Sequence, residues 1–283
     1  MRTFPESSFF KQQRAPALPT PDAIGALNAS ITGPLRNNFR RPPPVAIPSM
    51  GLFVKYGSKV TIAEAETQAM VYEKLRDQVP VPEVYGWVED EGQRFIYMSL
   101  VEGDTLANMW PSMNEAQRQD VCKELKGMVG AWRALVGHEP DMSQYIGSMG
   151  GQPLNEVFLH DDPRLIGPFQ GDDAVHDFQA VCDIDIKLDV KPVFTHNDLV
   201  PVNIMLTPGP NPKVAAVVDW GQAGWYPDYW EYCKARRVNL LPRQFDTKSQ
   251  EEWHSRYLPL IIDPVDEEGV YHPWTWFFIT KGI

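Results

Sequence analysis

The stretch FTHNDLVPVNIML, residues 194–206, sets a polar centre between two apolar runs. Such apolar runs bounded by turn residues predict two short buried strands, with the polar residues on the loop between them. A loop held by two buried strands is a suitable place for a functional site, because its side chains are fixed in position. The polar centre consists of His196, Asn197, Asp198 and Asn203.

The same segment continues into a predicted β-hairpin. Residues 203–220 read NIMLTPGPNPKVAAVVDW, in which a Pro- and Gly-rich turn separates two apolar runs. We expect this hairpin to bring Asn203 and Asp219 side by side. An amide and a carboxylate placed together supply the hard oxygen ligands that Mg²⁺ prefers.

The N-terminal hundred residues predict strand, helix, strand and strand. GLFVKY, residues 51–56, reads as a strand, and Thr61 with Glu64 forms a T-x-x-E capping box for a helix that extends to Gln78. VYGWV and RFIYMSLV follow as two strands separated by the turn EDEGQ. The first fifty residues are rich in proline and are expected to be loosely structured, apart from a short helix after Pro21.

The remainder of the chain predicts mainly helices. Apolar residues recur at helical spacing within residues 114–136, and further helices are expected at 174–188, 229–238 and 250–258. The fold class is therefore α+β, with a small antiparallel-sheet N-lobe at residues 1–101 and a larger, mostly helical C-lobe at 102–283. A hinge is expected near residues 100–105.

The composition of the chain excludes several classes of protein function. The chain has 283 residues, 43% of them hydrophobic, and a net charge of −11. It is long and apolar enough for a packed core, and so acidic a chain is a poor binder of nucleic acid. Three widely spaced cysteines indicate neither a disulfide framework nor a zinc site, and the sequence shows neither a secretory signal nor a membrane span. We expect a cytoplasmic protein that binds a small molecule.

Five residues in order along the chain suit phosphoryl transfer, in which catalysis is mostly positioning and stabilisation of charge. A lysine on a strand can hold phosphates, and an acid on the next helix can fix that lysine by an ion pair. A loop acid can accept the proton of an attacking hydroxyl group, and an amide with a second acid can hold Mg²⁺. These residues are Lys55, Glu64, Asp198, Asn203 and Asp219.

The chain resembles the aminoglycoside phosphotransferase and choline kinase group of the protein-kinase-like fold, and it looks closest to the fungal branch. The resemblance rests on HNDLVPVN at residues 196–203 and VVDWGQAGWYPDYWEY at 217–232, supported by FVKYG, EAETQ, VPVPEVYG and MSLVEGDTL upstream. It implies an ATP- and Mg²⁺-dependent kinase that phosphorylates a hydroxyl group of a small molecule. By this resemblance, Asp198 is the catalytic base, and His196 supports the catalytic loop structurally. Asn203 and Asp219 bind Mg²⁺. Lys55, paired with Glu64, contacts ATP, and the backbone around Leu100 and Glu102 contacts the adenine.

The sequence departs from that pattern in one place and leaves alternatives open elsewhere. PPPVAIPSMG, residues 42–51, stands where a glycine-rich phosphate loop is expected, and prolines offer no amide donors. Glu66 could pair with Lys55 instead of Glu64, whose carboxylate could be used in its own capping box. Each site residue could also be structural. The alternatives to a kinase are therefore a kinase-like module that only binds, or a scaffold with other chemistry in secondary metabolism.

No sequence motif identifies the small molecule that would accept the phosphate. An amine group on it is one option, since the aromatic residues at 225–230 or the acidic loop DPVDEEG at residues 263–269 could bind a cationic amine.

Overall fold

The computed structural model describes residues 1–30, 38–135, 144–159 and 162–281. The chain divides into two compact units. The first contains Met1–Arg76 and Pro80–Glu102, and the second contains Asp77–Val79 and Gly103–Ile283. No helix of the described residues is long and apolar enough to cross a membrane.

The first unit is built on a five-stranded antiparallel sheet. Its strands are β1 (Arg2–Thr3), β2 (Val45–Ile47), β3 (Leu52–Gly57), β4 (Val84–Asp90) and β5 (Gln93–Ser99), and their order in the sheet is β1-β4-β5-β3-β2. The helices of this unit are α1 (Ser8–Lys11), α2 (Pro21–Asn28) and α3 (Ile62–Leu75). The strand, helix, strand and strand predicted from the sequence are confirmed as β3, α3, β4 and β5.

The prediction of a loosely structured N-terminal segment was wrong for the residues that are described. β1 and β2 form the two edges of the sheet. Phe9, Leu18 and Ile24 are buried in the core with residues of β3, β4 and β5. These segments are too short to show a periodicity of their own, and their burial depends on the sheet that they join. Helix α3 ends at Leu75, before the predicted Gln78.

The second unit is mostly helical. Its first half contains β6 (Asp104–Thr105), α4 (Leu106–Met109), α5 (Glu115–Arg133), β7 (Tyr145–Ile146), β8 (Phe169–Gln170) and α6 (Ala174–Cys182). Its second half contains β9 (Pro192–Thr195), β10 (Ile204–Leu206), β11 (Val214–Val217), β12 (Gly224–Pro227), α7 (Trp230–Arg237), α8 (Thr247–Glu252), α9 (Leu258–Ile261) and α10 (His272–Thr280). All strand pairs are antiparallel, in sheets of order β11-β10-β6, β12-β9 and β7-β8.

Helix α5 follows directly from its sequence. Asn114 accepts a hydrogen bond from the Gln117 backbone, and the Gln117 side chain accepts one from the Asn114 backbone, so a reciprocal capping box starts the helix. The predicted apolar stripe is buried along its length. Helix α6 is shorter than predicted, because Asp183 adopts a left-handed conformation (φ 55°) that ends it at Cys182.

The catalytic loop candidate lies between β9 and β10, as the two apolar runs predicted. β9 pairs with β12, and β10 pairs with β11 to form the predicted hairpin. Helix α10 was not predicted, and it packs into a core cluster that includes Trp230, Trp274 and Phe277. The aromatic residues considered as an amine pocket, Trp225, Tyr226, Tyr229 and Trp230, are all buried.

Candidate active site

Lys55 and Glu64 form an ion pair in the first unit. Lys55 lies on β3 and Glu64 lies in the first turn of α3, and the Lys55 Nζ is 2.5 Å from the Glu64 Oε1. The Glu64 side chain is 5% exposed, so the lysine supplies the partner that a buried carboxylate requires. Thr61 accepts a hydrogen bond from the Glu64 amide (3.2 Å), which leaves the carboxylate for Lys55. Glu66 faces Arg2 instead, at 3.8 Å.

The proline-rich segment before Lys55 forms an ordered turn. β2 ends at Ile47, a single 3₁₀ turn covers Pro48–Met50, and Gly51 adopts a left-handed conformation (φ 54°) before β3. The Arg14 guanidinium donates to the carbonyls of Met50 (3.3 Å) and Gly51 (3.2 Å). The Arg14 guanidinium therefore places a positive charge beside this turn.

The candidate hinge is joined to the same turn. The Leu100 amide donates to the Gly51 carbonyl at 3.0 Å. That hydrogen bond uses the only backbone donor of Leu100, so in this conformation Leu100 offers its carbonyl group alone to a ligand. Glu102 is exposed at the end of the first unit.

His196 connects two segments of the second unit. Its Nε2 lies 3.0 Å from the Val218 carbonyl, and its Nδ1 lies 3.2 Å from the Asp198 amide. This pairing requires a neutral ring that donates from Nε2 and accepts at Nδ1. Burial lowers the pKa of His196, which favours the same neutral form. The ring also packs edge-on against Trp220, with the centroids 4.6 Å apart.

Asp198 and Asn203 contact each other across the loop. The Asn203 Nδ2 donates to the Asp198 carbonyl (2.9 Å) and to its Oδ2 (3.0 Å). Both amide protons of Asn203 are directed to Asp198, so its Oδ1 is the atom left for a cation. Burial raises the pKa of Asp198 and the charge of Asp219 adds to the rise, whereas Lys234 and the hydrogen bond from Asn203 oppose it.

Asn203 and Asp219 lie at the same end of the β10–β11 hairpin. The Val218 amide donates to the Asn203 carbonyl at 2.9 Å, so the residue that follows Val218 is next to Asn203. Asp219 adopts a left-handed conformation (φ 66°) that ends the strand. An amide oxygen and a carboxylate are a ligand set that fits Mg²⁺, which is usually completed by water and phosphate oxygens. In the described part of the chain, no group of three or more His, Cys, Asp or Glu side chains forms a metal site of its own.

A buried polar network supports this loop, and sequence reasoning did not find it. Lys234 on α7 donates to both carboxylate oxygens of Glu156 (2.7 Å each) and to the Gln222 Oε1 (2.8 Å). Glu156 also accepts a hydrogen bond from the Asn197 side chain and one from the Trp230 indole (3.3 Å). The charged pair is therefore satisfied by several donors, which is the condition for a buried ion pair to be tolerated.

A second buried acid holds the loop backbone. The Glu231 carboxylate accepts from the Asn197 amide at 2.9 Å and from the Trp132 indole at 3.3 Å. Asn197 adopts a left-handed conformation (φ 63°), which is more accessible to asparagine than to most residues. This conformation falls directly before Asp198, so Glu231 and Glu156 together fix the backbone from which the Asp198 side chain projects.

Asp198 lines a pocket of about 380 Å³ in the second unit. Lys234 and Arg237 of α7 also line it, and neither was assigned a role from the sequence. The sequence did contain one indication of these residues: Glu231 and Lys234 lie three residues apart within the aromatic segment WYPDYWEYCKARR. Charged residues among so many aromatic residues are expected to be paired.

Solved structures similar to this chain include aminoglycoside phosphotransferases of low sequence identity. An aminoglycoside-3'-phosphotransferase of type VIII is 20% identical, with 80% of this chain and 85% of that chain covered and a TM-score of 0.46. A complex of aminoglycoside phosphotransferase APH(4)-Ia with AMP-PNP and hygromycin B is 17% identical, with 74% and 70% covered and a TM-score of 0.45. The gentamicin complex of APH(2")-IIa is 15% identical, with 75% and 73% covered and a TM-score of 0.44.

No curated protein matches the chain significantly. The profile of the phosphotransferase enzyme family, APH, matches residues 51–261, which include β3, the loop between β9 and β10 and helix α7. The α+β fold class predicted from the sequence is confirmed, with an antiparallel sheet in the first unit and mainly helices in the second. The chain belongs to the phosphotransferase enzyme family.

Proposed function

We propose that the protein is an ATP- and Mg²⁺-dependent phosphotransferase that moves the γ-phosphate of ATP to a hydroxyl group of a small molecule. The observation that carries this proposal is the environment of Asp198. Its carboxylate is oriented by Asn203, its backbone is held by His196 and the buried acids, and it lines a pocket large enough for a small acceptor. Membership of the phosphotransferase family supports the reaction type.

In the proposed reaction, the acceptor hydroxyl oxygen bonds to the γ-phosphorus as the bond to the bridging oxygen of ADP breaks. The hydroxyl proton passes to the Asp198 carboxylate, and ADP leaves. Burial, which raises the pKa of Asp198, makes this carboxylate a better proton acceptor than an exposed one. The hydrogen bond from the Asn203 Nδ2 to the Asp198 Oδ2 fixes the orientation of this carboxylate.

The nucleotide is assigned to the N-terminal lobe, residues 1–101, and the acceptor to the C-terminal lobe, residues 102–283. Lys55, fixed by Glu64, is proposed to contact the phosphates, and the backbone of Leu100 and Glu102 is proposed to meet the adenine. Asn203 and Asp219 would hold Mg²⁺, which when bound would neutralise charge on the phosphates. Three buried cysteines that form no disulfide support a reducing compartment, and we place the enzyme in the cytoplasm.

The test combines binding with turnover. Purified protein is titrated with Mg·ATP by calorimetry, and release of ADP and transfer of labelled phosphate are followed with water and with a panel of hydroxylated metabolites. We expect saturable Mg·ATP binding and turnover that falls in Asp198→Asn by about 10²- to 10⁴-fold. Asp185→Asn, a change at an exposed carboxylate, is the matched control and should leave both unchanged.

The two rival functions predict other results. A kinase-like module that only binds would retain nucleotide binding with no turnover, and it would not respond to Asp198→Asn; the proline-rich turn before Lys55 is the feature that favours it. A scaffold with other chemistry would act on its substrate without ATP. Absence of both Mg·ATP binding and turnover would refute the proposed phosphotransferase.

A further inference from the structure

The pocket beside Asp198 has two kinds of lining. Asp198 and Lys234 are among its polar lining residues, and Phe158, Val238 and Phe278 provide apolar surface. The rings of Phe158 and Phe278 pack edge to face, with their centroids 4.8 Å apart, so they form one continuous wall. A ligand of this pocket therefore needs a hydroxyl group that reaches Asp198 and an apolar body that lies against the two phenyl rings.

The charge of the pocket depends on Arg237. Three cations follow closely on helix α7, and two of them have carboxylate partners: Lys234 pairs with Glu156 at 2.7 Å, and Arg236 pairs with Glu267 at 2.6 Å. Among the described residues, Arg237 has no carboxylate within ion-pairing distance. Its guanidinium lies over the Phe278 ring, 4.5 Å from the centroid, and its buried Nε has no hydrogen-bond partner in the part of the chain that the structure describes.

A half-buried guanidinium with no ion-pair partner among the described residues requires an explanation, because buried donors are almost always paired. Its planar fork matches a carboxylate in a bidentate arrangement. Packing against Phe278 fixes the orientation of the fork, so little freedom is lost when an anion binds. Asn239, also on the lining, supplies a further polar group near the same helix end.

The same charges disfavour a cationic acceptor. Among the described lining residues, Asp198 is the one carboxylate, and the nearby Glu156 is already used by Lys234, Asn197 and Trp230. The acidic loop that the sequence offered for amine binding is also occupied in part, since Asp263 pairs with Lys126 and Glu267 with Arg236. An ammonium group in this pocket would lie near Arg237, with Asp198 as the one acid among the described lining residues to receive it.

We propose that the acceptor is a hydroxylated carboxylic acid with an apolar body, whose carboxylate pairs with Arg237 while its hydroxyl group faces Asp198. This inference rests on the proposed phosphotransferase function and names the class of its acceptor. It replaces the amine-bearing acceptor that the sequence left open. The apolar part of the acceptor lies along Phe158 and Phe278.

The test uses matched acceptors that differ only in charge. One set is para-hydroxymethylbenzoate, its methyl ester and para-hydroxymethylbenzylamine, and a second set contains ω-hydroxyalkanoates of increasing length with the corresponding esters and amines. Transfer of labelled phosphate is measured for each, and binding is measured by calorimetry with and without nucleotide. We expect the wild type to favour the acid of a set by about 10-fold or more over its ester, and the amine to be the poorest acceptor.

Two variants assign the preference to Arg237. Arg237→Gln should raise the KM of the acid about 10- to 100-fold while the ester is little affected. Arg237→Glu should favour the amine. Arg236→Gln removes the same charge one residue away and should keep the preference for the acid. Circular dichroism and Mg·ATP binding confirm that each variant is folded.

The outcomes separate this inference from the proposed function. A wild-type preference for the amine, an acid preference that survives Arg237→Gln, or the absence of acid binding in an enzyme that hydrolyses Mg·ATP would overturn the acceptor class and leave the phosphotransferase in place. Arg237-dependent binding of the acids by a protein that transfers no phosphate to any acceptor would refute the phosphotransferase and leave a carboxylate pocket.

Discussion

Lys234 and Glu156 form an ion pair that is almost completely buried: the Lys234 Nζ lies 2.7 Å from both carboxylate oxygens, and the two side chains are 2% and 0% exposed. The pair is also the link between helix α7 and the loop that carries Asp198, because Glu156 accepts a hydrogen bond from the Asn197 side chain. The Lys234–Glu156 pair therefore holds the loop that carries Asp198 in position only while both charged residues are present.

Removal of one charge of the Lys234–Glu156 pair should therefore lower the free energy of unfolding more than removal of both charges. Lys234→Met leaves the Glu156 carboxylate buried without its cation, and we expect the free energy of unfolding to fall by about 3–5 kcal/mol. The double variant Glu156→Gln with Lys234→Met should be clearly more stable than Lys234→Met alone. Urea unfolding of the four proteins of this cycle measures the coupling. Lys248→Met, at an exposed lysine, is the control, and equal losses in the single and double variants would contradict the prediction.

Asp198 should reduce stability at neutral pH. Burial raises its pKa in the folded protein above the value in the unfolded chain, so its stabilising contribution is present at low pH and is lost as the pH rises through the folded pKa. Asp198→Asn should therefore unfold at a higher temperature than the wild type at pH 7, although its turnover is expected to be lower. Thermal unfolding in the presence of a chelator measures this.

The advantage of Asp198→Asn should shrink as the pH falls, because the wild-type carboxyl then becomes protonated and neutral as well. Asp185→Asn, which removes the charge of an exposed carboxylate, is the control for the general effect of removing one negative charge. A variant that is less stable than the wild type at neutral pH, with intact structure, would contradict the assignment of Asp198 as a desolvated acid.

His196 should make the wild type sensitive to mild acid. Its pKa is lowered by burial from the ordinary 6.5, so the unfolded chain takes up a proton that the folded protein does not. Stability is then present above pH 6.5 and falls below it, by at most about 1.4 kcal/mol per pH unit for one proton. In His196→Gln this part of the pH dependence should disappear, as measured by urea unfolding across that range.

His254, whose pKa is also lowered by burial, is present in both proteins and cancels in the comparison. Parallel stability profiles for the wild type and His196→Gln would show that His196 is protonated in the folded protein, which is inconsistent with its hydrogen bonds to Val218 and Asp198.

Glu64 and Glu66 should differ sharply in their effect on nucleotide binding. Glu64→Gln removes the charge that fixes Lys55, and if Lys55 contacts the phosphates as proposed, the Kd of Mg·ATP should rise about 10-fold. Glu66 is 46% exposed and faces Arg2, so Glu66→Gln should leave the Kd unchanged. Calorimetric titration of both variants distinguishes them, and equal effects would remove the basis for the Lys55–Glu64 assignment.

Much of the fold was accessible from local patterns. The apolar runs around HNDLVPVN predicted β9 and β10, the Pro- and Gly-rich turn predicted the hairpin with β11, and the capping box and apolar stripe predicted α5. Elements without a periodicity of their own were missed or misplaced: the edge strands β1 and β2, the end of α6 at Cys182, and helix α10. Their stability depends on residues that lie far away in the chain.

The sequence by itself determined the catalytic loop candidate, because His196, Asp198 and Asn203 lie within eight residues and their spacing already requires a shared loop. Only the tertiary structure decided what surrounds it. Glu156 meets Lys234 across 78 residues and Asn197 across 41, and Arg237 reaches the pocket of Asp198 through the packing of α7. Contacts between residues so far apart in the chain arise from the burial of aromatic side chains between elements. Sequence patterns record local hydrogen bonding and periodicity, which do not specify these contacts.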